Sequence, residues 1–546
     1  MRYQTFSSRI LIASSLLAVC LWIATGCSGG GGGSPETRLP RPPTGVAVPL
    51  TEAEVRVVLA QAVAEATRVG ASLVVAVTNR DGVIRGEFRM TSMPAGPSYP
   101  GAVTGCLPFP GYDACSAGGV NCAVAKARTA AYFSSTGEAF STRTARFIIL
   151  DHFPPGVSNT GGGPLYGVNN SSLPGSDVLV AQLANSSTAV PPLLIEPNGL
   201  SAVDGGVPLY KGGFAVGGVG ISSNRPELDE PIALAAQRGF APNPLIQADQ
   251  VLVDGIRLPY VSATLPPAPG ALPALTPAVG DFPFEVTPDF SPVFPTRTLG
   301  GVPLEVRFPS VDAPGADPDR LRVADVDRIA GQAAAKAAIT RGAIRRPLGS
   351  SAAVFVSVVD PQGDILGVFR TPDATLFSFD VSVQKARTAA LFSTDPTPGP
   401  GDPVTLAALR QFRTAVGVAD TQSVAITTRA IGFLCQNFFP PGIDGQPPGP
   451  LFGLQACLVL RPGTSTSATG DGITVFAGGV PLYRNGKLVG AVGVSGDGID
   501  QDDIVADAGS TGFFPPVTVL KADQLFFNGA RLPYVKFPRN PGGGVG

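Results

Sequence analysis

The sequence repeats itself, and this constrains the fold more than any other feature. Lys126-Ala-Arg-Thr-Ala-Ala-Tyr-Phe-Ser-Ser135 returns as Lys385-Ala-Arg-Thr-Ala-Ala-Leu-Phe-Ser-Thr394, with eight identities in ten. Gly205-Gly-Val-Pro-Leu-Tyr210 returns unchanged as Gly478 to Tyr483, each copy followed by a Gly/Val-rich run ending at Ser222 or Ser495. Ala248-Asp-Gln250 with Arg257-Leu-Pro-Tyr-Val261 returns as Ala522-Asp-Gln524 with Arg531-Leu-Pro-Tyr-Val535. Blocks recurring in one order mark a structural unit made twice, over residues 50–261 and 321–535. Between them, residues 262–320 hold 13 prolines in 59 positions, which reads as a semi-rigid linker. A third Gly-Gly-Val-Pro-Leu, Gly300 to Leu304, lies in that linker.

Each copy opens with the same local pattern. Thr51 followed by Glu54 is a capping box, and Val55, Val58, Leu59, Ala62, Val63 and Ala66 share one helical face until Gly70. Val326, Ile329, Ala330, Ala333, Ala334 and Ala337 repeat that face in the second copy. Leu73 to Val77 and Val354 to Val358 are β-branched runs; Asp81-Gly82 or Gln362-Gly363 then turns the chain into a second strand ending at Arg89 or Arg370. The Lys-Ala-Arg-Thr-Ala-Ala block has helix-forming composition, the Gly/Val run alternates as a buried strand does, and acidic helix starts follow at Asp229-Glu230 and Asp502-Asp503. Mainly antiparallel sheets flanked by helices, an α+β fold, are expected.

The N-terminus carries a processing signal. Arg2 and Arg9 precede an apolar stretch from Ile10 to Ile23, and Ala24-Thr25-Gly26-Cys27 resembles a bacterial lipobox. The resemblance implies removal of residues 1–26, lipidation of Cys27, a Gly/Pro-rich tether over 27–49, and an exported protein anchored to the membrane. Ser28 after the lipid site favours the outer membrane in an organism that has one. A Gly-rich tail closes the chain at 536–546. Export permits disulfides. Cys435 and Cys457, the only two cysteines of the second half, are expected to bridge; in the first copy the choice falls on Cys106 with Cys115, which leaves Cys122 over.

Composition removes several functions. A formal charge of −2 gives no basic footprint for nucleic acid. The single histidine, His152, excludes zinc sites built on two or three histidines. No C-x-x-C-H, nucleophile elbow or phosphate loop occurs, so catalysis is the lesser expectation.

The ordered set of motifs resembles the GlcG/HbpS haem-binding family, to which the PduO C-terminal domain also belongs. It comprises the helix and hairpin ending in Phe-Arg, Lys-Ala-Arg-Thr-Ala, Gly-Gly-Val-Pro-Leu, the Gly-Val-Gly-x-Ser strand and the acidic helix. The resemblance implies two tandem profilin-like α+β domains, self-association, and in some members binding or degradation of haem. The expected function is an extracytoplasmic, membrane-anchored haem or small-molecule binding protein without catalysis. The alternatives are a structural cell-surface lipoprotein and a haem-degrading enzyme. Two linked copies are expected to pair within one chain as a pseudo-dimer, and higher homo-oligomers are compatible with it.

Candidate ligand contacts are Lys126, Arg128, Thr129, Gly205, Gly206 and Pro208, with Lys385, Arg387, Thr388, Gly478, Gly479 and Pro481 in the second copy. Two cations near a helix start suit a carboxylate or haem propionates; helix-to-sheet packing or a subunit contact is the stronger explanation of the same residues. His152, beside Phe153 and two prolines, reads first as a packed or surface residue and is otherwise the candidate haem ligand of the first copy. Its counterpart is Phe438, so a histidine-ligated haem site shared by both copies is excluded.

Overall fold

The computed structural model describes residues 43, 45–93, 122–150, 153–157, 163–165, 176–185, 199–275, 286–397, 399, 403–440, 445–452 and 472–536. The first repeat runs α1 (Glu52–Val69), β1 (Leu73–Asn79), β2 (Ile84–Arg89), α2 (Cys122–Tyr132), α3 (Thr142–Ile148), α4 (Asp177–Asn185), β3 (Gly206–Lys211), β4 (Phe214–Ser223) and α5 (Asp229–Ala236). A two-residue hairpin closes it, β5 (Leu252–Val253) with β6 (Ile256–Arg257). After β7 (Thr296–Leu299) and β8 (Val302–Phe308), the second repeat begins with α6 (Val323–Ala338), β9 (Val354–Val359), β10 (Ile365–Arg370) and α7 (Ser378–Ser393). It continues through α8 (Pro403–Ala415), β11 (Val424–Ala425), α9 (Thr428–Leu434), β12 (Gly479–Arg484), β13 (Lys487–Gly496) and α10 (Ile499–Gly509). It ends with β14 (Leu520–Lys521), which pairs in parallel with β11, and the hairpin of β15 (Phe526–Phe527) and β16 (Ala530–Arg531).

Local chemistry sets these elements. Thr51 and Glu54 form both halves of the capping box, and Gly70 ends α1 at φ +69°, a conformation cheap only for glycine. Gly82 and Gly363 supply the positive φ that the β1–β2 and β9–β10 turns need. The first sheet has the antiparallel order β2-β1-β4-β3, and the second contains the same arrangement as β12-β13-β9-β10.

The second sheet is extended to six strands by β8 and β7, which come from the segment read as a linker. Gly300 and Gly301, at φ +57° and +79°, make the turn of that hairpin, and alternating Leu304 and Val306 bury against the sheet. Pro303 pairs only with β7, beyond the reach of β10, so its missing N–H costs no ladder bond to the sheet interior. Upstream, Val286 bridges Gly86 on β2, and Thr287 N–H donates to the Arg85 carbonyl at 2.9 Å. The connecting segment is thus a strap that augments an edge of each sheet; proline content conceals this, although among the described residues only Pro303 holds a strand-paired position, on the side facing the edge strand.

The main cores follow from these sheets. On one side of each sheet, α1 and α5, or α6 and α10, close a core belonging to that repeat. On the other side, α2 and α7 are buried all round, and one continuous core joins Tyr132, Phe133 and Phe140 to Phe355, Phe377 and Phe379. Phe133 and Phe377 stack at 4.4 Å between centroids. Polar contacts reinforce this contact between repeats. Asp380 accepts from Ser176 Oγ at 2.6 Å and from Val178 N–H at 3.0 Å, at the start of α4, and Asp81 pairs with Arg307 at 3.0 Å. At its centre Arg345 meets Asp373 (2.6 Å), Asp497 (2.5 Å) and Glu138 (3.4 Å).

The cysteine expectations need correction. Cys435 is a free, buried thiol whose Sγ donates to the Leu451 carbonyl at 3.4 Å, so it does not bridge to Cys457. An apolar cluster surrounds it, and burial pushes its pKa up. Cys457, Cys106 and Cys115 lie outside the described residues, as do Cys27, the tether up to residue 42 and His152. Cys122, left over in the sequence, is disulfide-bonded. No helix among the described residues is long and apolar enough to cross a membrane.

Candidate functional site

The recurrent polar cluster sits inside the fold. Lys126 Nζ donates to Asp229 Oδ2 at 2.7 Å and to the Ile221 carbonyl at 2.8 Å, tying α2 to β4 and α5. Lys385 repeats this with Asp502 (2.8 Å) and the Val494 carbonyl (2.9 Å). Arg128 donates to the Gly82 carbonyl, and Arg387 to Gly363; Arg387 also pairs across the repeats with Asp177 at 2.6 Å. Thr129 Oγ1 accepts from Ser201 N–H and Thr388 Oγ1 from Thr474 N–H, each anchoring the segment that enters the second hairpin.

The glycines serve close packing. A Cβ on Gly206 would lie 2.4 Å from the Lys126 carbonyl oxygen, and one on Gly479 2.3 Å from that of Lys385. Gly205 and Gly478 take φ +112° and +119° at the entry to β3 and β12. Pro208 and Pro481 pair with Gly218 and Ala491 in their hairpins. These candidates are brought together in each copy, and their polar groups are engaged internally.

A different place is open. A cavity of about 910 Å³ lies where the repeats meet, within the range of small-molecule sites. From the first repeat come Phe140, Ile148, Leu165, Leu252, Val253 and Leu258. From the second, Phe377, Val381, Phe433 and Phe476 complete the apolar wall, while Arg429, the first turn of α10 and Arg531 supply polar groups. Asp500 and Asp503 hold Arg429 at 2.7 Å each, and Lys536 holds Asp500 from the other side at 2.8 Å. Burial pushes the Asp502 carboxyl up to about 6 against the opposing pull of Lys385.

Apolar walls with arginine at the margin fit the organic body and carboxylates of haem. The described lining offers no His, Cys, Met or Tyr to the iron, and Lys385, its one amine, is committed to Asp502. Of the sequence candidates only Lys385 reaches this cleft. Arg429, Asp502 and Arg531 are not among the sequence-predicted binding residues; the recurring Arg-Leu-Pro-Tyr-Val block at Arg531 and the recurring acidic helix start at Asp502 carried the available signals.

Paired α+β repeats enclosing an apolar cleft define a class of small-ligand-binding fold. The chain belongs to the HbpS-like family, described as haem-degrading protein HbpS-like, whose model matches residues 109–238 and 328–511. An uncharacterised 15.0 kDa protein of Citrobacter freundii is 31% identical over 154 residues, covering 28% of this chain and 71% of that protein. The corrinoid adenosyltransferases PduO of Citrobacter freundii and Salmonella typhimurium are 25% and 26% identical, over 31% of this chain in each case. The chain spans about a third of their length, 35% and 34%. Among solved structures, a PduOC:heme complex aligns with 36% of this chain and 95% of its own at 21% identity and a TM-score of 0.20. Streptomyces reticuli HbpS aligns with 37% and 94% at 20% identity and a TM-score of 0.20.

Proposed function

We propose that this protein binds haem or a related apolar small molecule outside the cytoplasm, anchored by a lipid on Cys27, and that its ligand site is the cleft between the repeats. The observation carrying this reading is the cleft itself: about 910 Å³ with aromatic and aliphatic walls contributed by both repeats. Membership of a family named for haem chemistry supports the choice of ligand. Within that reading the protein holds its ligand without turnover, and the pairing of two repeats in one chain takes the place of association between single-repeat chains.

Haemin titration of the chain beginning at Ser28, followed at the Soret band, tests the proposal. Saturation near one haemin per chain is expected, with prolonged incubation under a reductant releasing no ring-opened product. Absence of saturable binding refutes ligand binding and leaves a structural role; loss of the Soret band with product formation refutes the non-catalytic part.

A further inference from the structure

The two copies of the buried Lys–Asp pair differ in one respect. In the first repeat both oxygens of Asp229 are occupied: Oδ2 by Lys126, and Oδ1 by the Ser223 backbone N–H at 3.0 Å and the Ser223 hydroxyl at 2.5 Å. Ser223 pairs with Leu73 on β1, and the position pairing with Val354 on β9 is Gly496. Glycine brings no hydroxyl. Asp502 Oδ2 still holds Lys385, but Oδ1 lacks the hydroxyl that its counterpart has: it makes no hydrogen bond of ordinary geometry, only the Gly496 backbone N–H acting on the carboxylate, and both Asp502 and Gly496 line the cleft. A buried oxygen that lacks its full complement of donors is disfavoured, so an N–H or O–H delivered by a ligand gains more there than at a solvated acceptor.

A second difference lies at the cleft margin. Arg257 in the first repeat folds back onto the Asp249 carbonyl of its own loop. Its counterpart Arg531 lines the cleft, exposed, and its guanidinium makes no hydrogen bond or ion pair among the described residues. The other cations of the lining are engaged, Lys385 by Asp502 and Arg429 by Asp500 and Asp503. Asp254, on the tip between β5 and β6, is the charged group on the facing side.

We infer that the cleft selects an apolar carboxylic acid that also carries an N–H or O–H donor, the donor bonding Asp502 Oδ1 and the carboxylate pairing with Arg531. This rests on the cleft being the ligand site. It sharpens the ligand, because the four ring nitrogens of haem are bound to iron and offer no N–H. An iron-free, ring-opened tetrapyrrole carries both kinds of group, lactam N–H donors as well as propionates.

The test compares biliverdin and haemin on the chain beginning at Ser28, by fluorescence quenching and by absorbance. Wild type should bind biliverdin at least tenfold more tightly than haemin. In Asp502→Asn, Lys385 retains the amide oxygen and the NH₂ turns toward the cleft, replacing an acceptor by a donor; biliverdin affinity should fall at least tenfold. Asp229→Asn removes the equivalent pair away from the cleft and should leave affinity unchanged, separating binding from folding. Arg531→Gln, at the surface, should weaken biliverdin severalfold and its dimethyl ester hardly at all. Haemin binding equal to or tighter than biliverdin, and insensitive to Asp502→Asn and Arg531→Gln, overturns this inference and leaves the proposed function standing. Saturable binding of neither compound overturns both.

Discussion

Glu138 is fully buried between the repeats, and replacing it with glutamine should remove a large part of the pH dependence of folding. Burial pushes its carboxyl up to about 8; Arg345 pulls it down, while Asp497 and Asp373 push it further up. Asp373 behaves oppositely: burial raises it, but Arg345 and Arg80 hold it at about 2. One guanidinium shared by three carboxylates therefore leaves Glu138 protonated at neutral pH. Its ordinary value is 4.5, so between about pH 4.5 and 8 the folded state holds a proton that the unfolded state has released. Stability from this group is fully present below 4.5 and is lost as pH rises through about 8. At about 1.4 kcal/mol per pKa unit, the loss is roughly 3–5 kcal/mol. Urea unfolding of wild type and Glu138→Gln at several values from pH 5 to 9 measures it. Asp360 and Asp502, which burial raises to about 6, titrate in both chains and cancel in the difference. The wild-type midpoint should fall relative to the variant as pH rises. Parallel curves over that range would refute the assignment of a retained proton to Glu138.

Asp177→Asn leaves Arg387 buried without its carboxylate and should cost about 3–5 kcal/mol in denaturant unfolding, although the two residues belong to different repeats. Gly206→Ala forces a methyl to 2.4 Å from the Lys126 carbonyl and should destabilise by more than about 2 kcal/mol in the same assay; a loss below 0.5 kcal/mol would contradict the close packing of β3 on α2. Cys435 should resist alkylation in native buffer and react fully in denaturant, and intact-mass analysis reads the difference. Cys27→Ser should leave a precursor without membrane retention, and fractionation in which the variant stays with the membrane would count against the lipid anchor.

The pattern of each repeat was legible wherever short-range chemistry decides it. The Thr51–Glu54 box, the Gly82 and Gly363 turns and the Lys-Ala-Arg-Thr-Ala-Ala helices fall where spacing and composition put them. The strap was not legible, because strand pairing of Val302 to Phe308 depends on a β10 edge lying some sixty residues downstream. Nor was the role of the recurrent cations: sequence shows that Lys126 and Arg128 recur, but only the fold reveals that Asp229 and the Gly82 carbonyl meet them. The cleft was invisible for a related reason. Its walls combine Ile148 and Leu165 with Phe377 and Phe476, residues that no local pattern connects. Cys435 illustrates the converse error, since counting thiols says nothing about the apolar packing that encloses one.

The common core also dictates when the molecule can become stable during its own production. Phe133 stacks on Phe377, and the α2 helix that carries Phe133 is buried on every side. About 240 residues separate the two rings, so at roughly 5–20 residues per second a ribosome needs some 10–50 s to supply the second after the first. Throughout that interval Phe133 lacks the ring it stacks on, and the first repeat's share of the common core is unfinished. A half-finished chain is therefore a natural client for chaperones and an easy substrate for proteases, and a truncation that removes the second repeat leaves that condition permanent.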